Sequence, residues 1–295
     1  MADVSKEKEF FKKFFPRRLI SFARKVIYPE KIYLIEDNLD SLFKTYYQNL
    51  AAPDLDQKII LKNAEFKVCS KCGADGLILH IFSKIGIVNR TFVEMGVENG
   101  RECNTANLAL NFGWQGMIID ANQEWIESAR RFYREKLGES AAKVKAVPCL
   151  VTAENINKLL IENGPQGEID LLSIDIDGND YWVWRAIEAV NPRLIVAEYN
   201  PAFGSKEALT IKYNPGHSYT KENPLYFGAS LAALKKLANS RGYILVGCGS
   251  WGYDAFFVRK DLAQGKFVEL TPERAFYGDG KNQFEQIKHP AFDYV

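Results

Sequence analysis

The sequence predicts an α/β fold, in which helices flank a mostly parallel sheet that ends in an antiparallel strand and follows an N-terminal helical extension. Residues Thr91–Asp120 have the pattern of a strand, a glycine loop, a helix and a second strand. Residues Ile169–Ile176 are largely apolar, which is typical of a strand in the middle of a parallel sheet. Residues Gly242–Cys248 and Ala255–Arg259 predict a closing antiparallel pair.

The composition narrows the class of protein. The chain has 295 residues, of which 47% are hydrophobic, so it can bury a sizeable core. The formal net charge of +1 provides no overall field for nucleic acid. Five cysteines without a secretory signal indicate reduced thiols and a cytoplasmic location. No stretch approaches the ~20 apolar residues of a membrane-spanning helix.

The N-terminal region combines basic and aromatic side chains. Residues 6–25 contain eight Lys or Arg against two Glu, with Phe residues at helical spacing, and Pro16 interrupts any single helix. Such a segment can make a peripheral contact with the inner face of an anionic membrane. The alternative is a helix that packs its Phe face on the protein and solvates its lysines. A second helix is expected over Glu36–Gln48.

The glycine loop Gly96-Val97-Glu98-Asn99-Gly100 follows the first strand, Thr91–Glu94, at the edge where open α/β sheets bind ligands. Asp120, at the end of the next strand, can accept both hydroxyls of a ribose. A dinucleotide-binding fingerprint has glycine at the position of Glu98. A carboxylate at this position would repel a bound pyrophosphate, because both are negatively charged. Glu94 and Glu98 suit S-adenosylmethionine, whose ammonium and sulfonium are cationic.

The stretch FVEMGVENGRECNT, residues 92–105, resembles the first motif of Rossmann-like methyltransferases and is most similar to the FkbM-type group, with its FVEIG-x-x-x-G loop followed by NT. The resemblance covers roughly residues 90–262. It implies a methyltransferase sheet and an S-adenosylmethionine-binding domain over residues 76–264, between an extension over 1–75 and an appendage over 265–295. Any α/β domain with a glycine turn remains the alternative.

The loop and the resemblance together give the candidate cofactor contacts. Glu94 and Glu98 would hold the methionine end, and the glycines would form the turn. Thr152 follows the third strand, Val144–Leu150, and can instead cap the helix Glu154–Asn163. The candidate contacts are Glu94, Gly96, Glu98, Asn99, Gly100, Asn104, Thr105, Asp120, Asn122 and Thr152. Trp125, in the helix that begins at Asn122, would cover the adenine or pack in the core.

A second acidic stretch, SIDIDGNDYWVW, ends the fourth strand and also resembles the FkbM-type group, with Asp177 where many of those proteins have Glu. Asp175 and Asp177 are expected on one side of the strand end. Glu198, at the end of the fifth strand, would approach them. Such oxygen ligands suit Mg²⁺ or Mn²⁺, so Asp175, Asp177 and Glu198 form a candidate metal site. The alternative is one carboxylate acting as a general base.

The long segment Ala202–Gly228 has no clear period, and connections of this length often form lids or binding loops. Tyr213, His217 and Tyr219 are its candidate acceptor-side residues. His217 would serve as a base or a cation ligand, or lie at the surface like many single histidines.

Cys69 and Cys72 form a single C-x-x-C, and the chain offers no full set of four zinc ligands. We interpret them as two thiols in a turn beside Gly73 and Gly76.

The resemblance implies an S-adenosylmethionine-dependent methyltransferase that acts on a hydroxyl of a sugar, glycan or other small molecule. The set of oxygen ligands adds the expectation that Mg²⁺ or Mn²⁺ assists the reaction. Asp175, Asp177 and His217 are then the candidate catalytic residues. Two alternatives stay open at this point. One is a nicotinamide-dependent enzyme with an atypical loop, and the other is a non-catalytic, membrane-associated binding module.

Overall fold

The computed structural model describes residues 56–217, 219–278 and 292–295. The basic segment 6–25 and the helix expected over Glu36–Gln48 lie outside these ranges. Within them, no helix has the length and apolar character needed to cross a bilayer.

A seven-stranded sheet forms the centre of the described chain, in the order β3-β2-β1-β4-β5-β8-β7. Strand β8 runs antiparallel to both of its neighbours, and the other adjacent pairs are parallel. This arrangement confirms the predicted α/β fold with its late antiparallel strand. The strands are β1 Thr91–Met95, β2 Gln115–Asp120, β3 Val144–Pro148, β4 Gly167–Ile174, β5 Val190–Glu198, β7 Tyr243–Cys248 and β8 Asp254–Arg259.

Helices cover both faces of the sheet, and alternate strand residues divide the core into two clusters. One cluster contains Phe92 of β1 and Ile118 of β2, and the other contains the next residue of each strand, Val93 and Ile119. Helices α1 to α4 contribute to the first cluster, and α5 to α7 contribute to the second. The helices are α1 Gln57–Ala64, α2 Ala74–Ile85, α3 Ala106–Phe112, α4 Gln123–Leu137, α5 Ile156–Asn163, α6 Asp180–Ala186, α7 Leu231–Ser240, α8 Lys260–Ala263 and α9 Pro272–Ala275.

Both flanks of the expected central domain pack on this sheet where the structure describes them. Gln57 Nε2 donates to the carbonyl oxygen of Val246 at 2.7 Å, and Leu61 of α1 is buried. On the other side, the Leu270 N–H donates to the carbonyl oxygen of Leu245 at 2.9 Å. The boundaries at residues 75 and 264 therefore stay predictions, although the described residues beyond them share the core.

A small second sheet joins the segment Ala202–Gly228 to a strand near the end of the described chain. Strand β6, Leu209–Ile211, pairs antiparallel with β9, Phe292–Tyr294. The Val295 N–H continues the pairing by donating to the carbonyl oxygen of Ala208 at 3.0 Å. The segment expected to be irregular over Ala202–Gly228 thus contains a strand.

Two local predictions differ from the structure. The sequence pattern predicts a helix over Glu102–Asn111, but α3 begins at Ala106, because the backbone N–H groups of Asn104 and Thr105 donate to the buried carboxylate of Glu94.

The sequence also predicts that Asp180 caps a following helix over Tyr181–Ala189. In the structure Asp180 is the first residue of α6, and its oxygens accept from the N–H groups of Ile176 and Gly178 and hold the loop after β4.

Candidate functional site

Two cavities open side by side at the carboxyl ends of the parallel strands. The first, of about 250 Å³, adjoins Gly96 and is called here the glycine-loop cavity. The second, of about 470 Å³, is lined by Tyr219 and Trp251 among others and is called the aromatic cavity. Asp177, Glu198 and Tyr253 line both, so these three residues form a shared wall.

Gly96 brings the glycine loop against strand β4. Its φ is +81°, and a Cβ placed there would lie 1.5 Å from the carbonyl oxygen of Asp175. Its N–H donates to the carbonyl oxygen of Ile119 at 2.9 Å. Only glycine meets both the positive φ and the close approach, so the loop is fixed between β2 and β4.

Glu94 organises the beginning of α3 from inside the protein. It is 3% exposed, and its carboxylate accepts from the N–H of Asn104 at 2.8 Å and from the N–H and hydroxyl of Thr105. Burial raises the pKa of Glu94, against the opposing effect of these hydrogen bonds. Glu94 and Asn104 line the glycine-loop cavity, whereas Thr105 is fully buried and does not.

The candidate ribose residue, Asp120, holds the loop from the other side. Its Oδ2 accepts from the N–H of Glu98 at 2.7 Å, and its Oδ1 accepts from the N–H of Asn122 at 2.8 Å. Glu98 has a φ of +49°, so this hydrogen bond anchors a residue in the left-handed region. Burial is the main cause that raises the pKa of Asp120.

Several further candidates make local contacts at the same edge. Asn122 caps α4 by accepting from the N–H groups of Glu124 and Trp125, and Asn99 Oδ1 accepts from the N–H of Arg101. Thr152 Oγ1 accepts from the N–H of Asn155, the residue that precedes α5. Thr152 therefore holds the turn that leads into this helix. Gly100, at φ +71°, lies against α4, where a Cβ would come within 2.9 Å of Ala129 Cβ.

The three candidate metal ligands come together at the ends of β4 and β5. One carboxylate oxygen each of Asp175, Asp177 and Glu198 lies within 4.8 Å of the other two. Glu198 is 9% exposed, and its buried Oε2 has no hydrogen-bond partner among the described residues. Such an orphaned carboxylate oxygen needs a cation or a proton.

Burial and mutual repulsion govern the protonation of this cluster. Burial, followed by the Asp177 charge, raises the pKa of Asp175 well above its usual range. Burial and the Asp175 charge do the same for Glu198. Asp177 has a φ of +52°, which turns it away from the strand direction, and burial raises its pKa too. The cluster therefore favours a proton or a bound cation.

Two further carboxylates extend the acidic edge. Asp254, at the start of β8, is in register with Glu198 and lines the glycine-loop cavity. Burial raises its pKa to about 6, and burial also raises the pKa of Asp180 to about 6. The whole edge is therefore suited to a ligand that carries positive charge.

His217 lies beside the loop after β4 but lines neither cavity. Its ring packs so closely on Gly178 that a Cβ there would lie 2.5 Å from His217 Cδ2. The ring also stands edge-on to Tyr226, with the centroids 5.8 Å apart. Burial lowers its pKa, against an opposing interaction with Asp177. The structure thus brings His217 near Asp177 without exposing it to either cavity.

Side-chain hydrogen bonds hold the loop between β5 and α7. Asn179 Nδ2 donates to the carbonyl oxygen of Asn214 at 2.7 Å, and Trp182 Nε1 donates to that of Ile211 at 2.9 Å. Tyr213 contacts Glu154 and Ala153 and lies outside both cavities, whereas Tyr219 lines the aromatic cavity.

Sequence reasoning missed the turn between β7 and β8. This turn contributes Trp251 to the aromatic cavity, Tyr253 to both cavities and Asp254 to the glycine-loop cavity. Trp251 is 68% exposed, which is unusual for so large an apolar side chain. The available signal was an aromatic pair within the glycine-containing turn Gly249–Asp254, at the sheet edge where ligands bind.

No protein-family model and no curated protein sequence matches this chain. Its structure resembles magnesium protoporphyrin IX methyltransferase from Synechocystis PCC 6803, solved with bound S-adenosylmethionine, at 12% identity and a TM-score of 0.41 over 63% of this chain and 77% of that one. CcbJ methyltransferase from Streptomyces caelestis gives 16% identity and a TM-score of 0.41 over 64% and 90%.

An O-methyltransferase from Bacillus cereus, in complex with S-adenosylhomocysteine, is 15% identical, with a TM-score of 0.39 over 80% of this chain and 94% of that one. All three similar structures are methyltransferases. Because each TM-score is below 0.5, these likenesses decide neither the cofactor nor the reaction of this chain.

Proposed function

We propose that this protein is an S-adenosylmethionine-dependent methyltransferase that methylates a hydroxyl of a sugar, glycan or other small acceptor. The observation that carries the proposal is the shared wall of Asp177, Glu198 and Tyr253 between two cavities. Methyl transfer needs a donor and an acceptor side by side with a polar group at their junction, because holding two reactants in line supplies much of the rate.

The glycine-loop cavity would receive the methionine end of the cofactor. Its carboxylates match the sulfonium and ammonium, and the resemblance of residues 90–262 to FkbM-type methyltransferases supports the same orientation. The ribose would lie towards Asp120. Trp125 and Leu150, which are 44% and 50% exposed near the ends of β2 and β3, offer apolar surface for the adenine.

The shared wall would remove the proton of the acceptor. When bound, S-adenosylmethionine would supply an electrophilic methyl group to the acceptor oxygen and keep the C–S electron pair on sulfur. Where no cation is bound, a carboxylate of the Asp175, Asp177 and Glu198 cluster would take the acceptor proton. A cationic ligand nearby lowers the raised pKa of these carboxyls, so that one of them is ionised and can act as the base.

We also propose that Asp175, Asp177 and Glu198 hold a divalent cation, Mg²⁺ or Mn²⁺. The fit rests on three carboxylate oxygens within 4.8 Å of one another and on the unpartnered Oε2 of Glu198. Hard oxygen donors are the usual ligands of these ions. When bound, such an ion would lower the pKa of an acceptor hydroxyl.

Calorimetric titration with S-adenosylhomocysteine and, separately, with NAD⁺ tests the cofactor class, each with and without Mn²⁺. We expect micromolar binding of S-adenosylhomocysteine and no binding of NAD⁺. Binding of NAD⁺ alone would favour a nicotinamide enzyme. Binding of neither would favour a non-catalytic binding module, whose mark would be liposome binding that depends on residues 6–25.

A matched variant tests the reaction itself. Asp177→Asn removes one of the two carboxylates of the shared wall and is expected to abolish turnover. The affinity for S-adenosylhomocysteine should change by less than about threefold, because the remaining carboxylates still offset the positive charge of the ligand. Full turnover by this variant would exclude Asp177 from the reaction.

A further inference from the structure

A buried carboxylate builds the turn that carries Lys71. Asp75 Oδ2 accepts hydrogen bonds of 2.8 Å from the backbone N–H groups of Val68, Cys69 and Ser70 and from the Ser70 hydroxyl. Asp75 is 2% exposed, so these hydrogen bonds are shielded from water. The C-x-x-C segment is therefore a turn fixed by Asp75, and its cysteines form no disulfide.

The Lys71 side chain reaches from this turn to the glycine loop. Its Nζ lies 2.8 Å from Glu98 Oε1, and the two side chains are 50% and 46% exposed. Glu98 is itself fixed, because its N–H donates to Asp120 Oδ2. The ion pair thus joins two preorganised backbone segments, and Lys71 lines the glycine-loop cavity.

The charges around this cavity are strongly unequal. Among the described residues that line it, Lys71 is the single cation, against six carboxylates: Glu94, Glu102, Asp175, Asp177, Glu198 and Asp254. Burial lowers the pKa of Lys71, but the Glu98 ion pair and the Asp175 and Asp177 charges outweigh burial and raise it, so Lys71 stays an ammonium. In the part of the chain that the structure describes, Lys71 is the one cationic side chain of this cavity with which an entering carboxylate could pair.

We propose that the Lys71–Glu98 ion pair is the binding site for the α-amino acid group of the cofactor, with Lys71 on its carboxylate and Glu98 on its ammonium. The proposal rests on the proposed function, since it assigns a part of the same cofactor. The zwitterion of a methionine moiety carries both charges on one carbon, and the ion pair offers the complementary charges already side by side.

The energetics favour exchange of partners on binding. A half-exposed Lys–Glu pair contributes little to stability, so it opens readily when a ligand offers new partners. Lys71 would instead donate to the ligand carboxylate, and the ligand ammonium would donate to Glu98. These hydrogen bonds are charge-assisted and shielded by the bound ligand, which makes them stronger than the ion pair they replace. Asp75 and Asp120 keep both backbones in place, so little ordering entropy is lost.

The test compares two ligands that differ by one group. S-adenosylmethionine and its decarboxylated analogue share the adenosine, the sulfonium and the amine, and only the first has the carboxylate. Both are titrated by calorimetry into the wild type, Lys71→Met and Glu98→Gln. Lys67→Met is the matched control, because Lys67 pairs with Glu102 at 3.1 Å on the same segment but does not line the cavity.

Lys71→Met is expected to weaken S-adenosylmethionine by about tenfold or more and the decarboxylated analogue by less than about threefold. Glu98→Gln should weaken both ligands alike, since both carry the ammonium, and Lys67→Met should change neither. Equal weakening of both ligands by Lys71→Met, or no weakening, would overturn the assignment.

The outcomes separate this inference from the proposed function. If the wild type binds neither ligand, both fail. If it binds both ligands and Lys71→Met does not discriminate between them, only the assignment of Lys71 fails. Thermal unfolding of each variant checks the fold, and Lys71→Gln provides a second uncharged variant.

Discussion

Asp175 and Glu198 each place a carboxylate oxygen within 4.8 Å of the other at the ends of neighbouring parallel strands, where burial and repulsion from nearby carboxylates hold both pKa values well above the usual range. A pair of this kind is unfavourable when both members are ionised, and it becomes favourable when a proton or a cation lies between them. The chain therefore retains an electrostatic cost at the junction of its two cavities, which a charged ligand would relieve.

Glu198→Gln should remove that cost and the proposed cation site together. We expect the ligand-free variant at neutral pH to be more stable than the wild type by roughly 1–2 kcal/mol, because glutamine removes the cost of burying or protonating this carboxyl group without loss of volume. Added Mn²⁺ should raise the melting temperature of the wild type but not that of the variant. Glu102→Gln, on the same cavity but exposed, is the control, and an equal Mn²⁺ effect in all three proteins would argue against the site.

Asp254 predicts a pH dependence of stability. Burial raises the pKa of this carboxyl from its ordinary value of 3.8 to about 6 in the folded state, so the folded chain binds the proton more tightly than the unfolded chain does. The free energy of unfolding then falls as the pH rises through this window and levels off above it. Asp254→Asn should remove this part of the slope, and its stabilising effect should grow by about 1–2 kcal/mol between pH 5 and pH 8. Urea denaturation at both pH values measures it; a gain independent of pH would contradict the assignment.

Gly96→Ala should damage the site through the backbone. A Cβ at this position would meet the Asp175 carbonyl oxygen, and the φ of +81° is strained for alanine. Gly113→Ala is the matched control, since Gly113 has a similar φ of +68° but nothing within 4 Å of its Cβ. We expect about 1 kcal/mol of destabilisation at Gly113 and more than about 3 kcal/mol at Gly96, by urea denaturation. Equal losses would show that the close contact does not matter.

Substitution of Trp251 should affect binding of the acceptor, and substitution of Trp125 should affect binding of the cofactor. Trp251→Ala removes an exposed aromatic face from the aromatic cavity and is expected to raise the KM of the acceptor about fivefold to tenfold, with S-adenosylhomocysteine affinity unchanged. Trp125→Ala should do the reverse, because it lies near Asp120 on the proposed adenine side. Steady-state kinetics and calorimetry on both variants give a crossed comparison, and parallel effects would reject the assignment of the two cavities.

Several strands and the edge at which they end could be predicted from sequence because each depends on a local pattern. Apolar runs gave β1, β4 and β5, and the rule that parallel strands end at one edge brought Asp177 next to Glu198. The candidate metal ligands could therefore be named from the predicted sheet alone, without knowledge of any other tertiary contact.

Lys71 and His217 show where that reasoning stops. Lys71 reaches the cavity from a turn that the side chain of Asp75 fixes by hydrogen bonds, and it pairs with Glu98 of the glycine loop. No periodicity of the sequence records these side-chain contacts. His217 has the chemistry of a catalytic residue, but its ring packs on Gly178 and lines neither cavity. Side-chain direction in an irregular loop depends on packing partners far away in the chain, which sequence alone does not name.

The pairing of β6 with β9 makes the two proposed sides of the site depend on different parts of the chain. Every described residue that lines the glycine-loop cavity lies between Lys71 and Asp254. The loop that carries β6 is held instead by Phe292–Tyr294. Loss of this short strand should therefore loosen the proposed acceptor side and leave the residues of the proposed cofactor side in place.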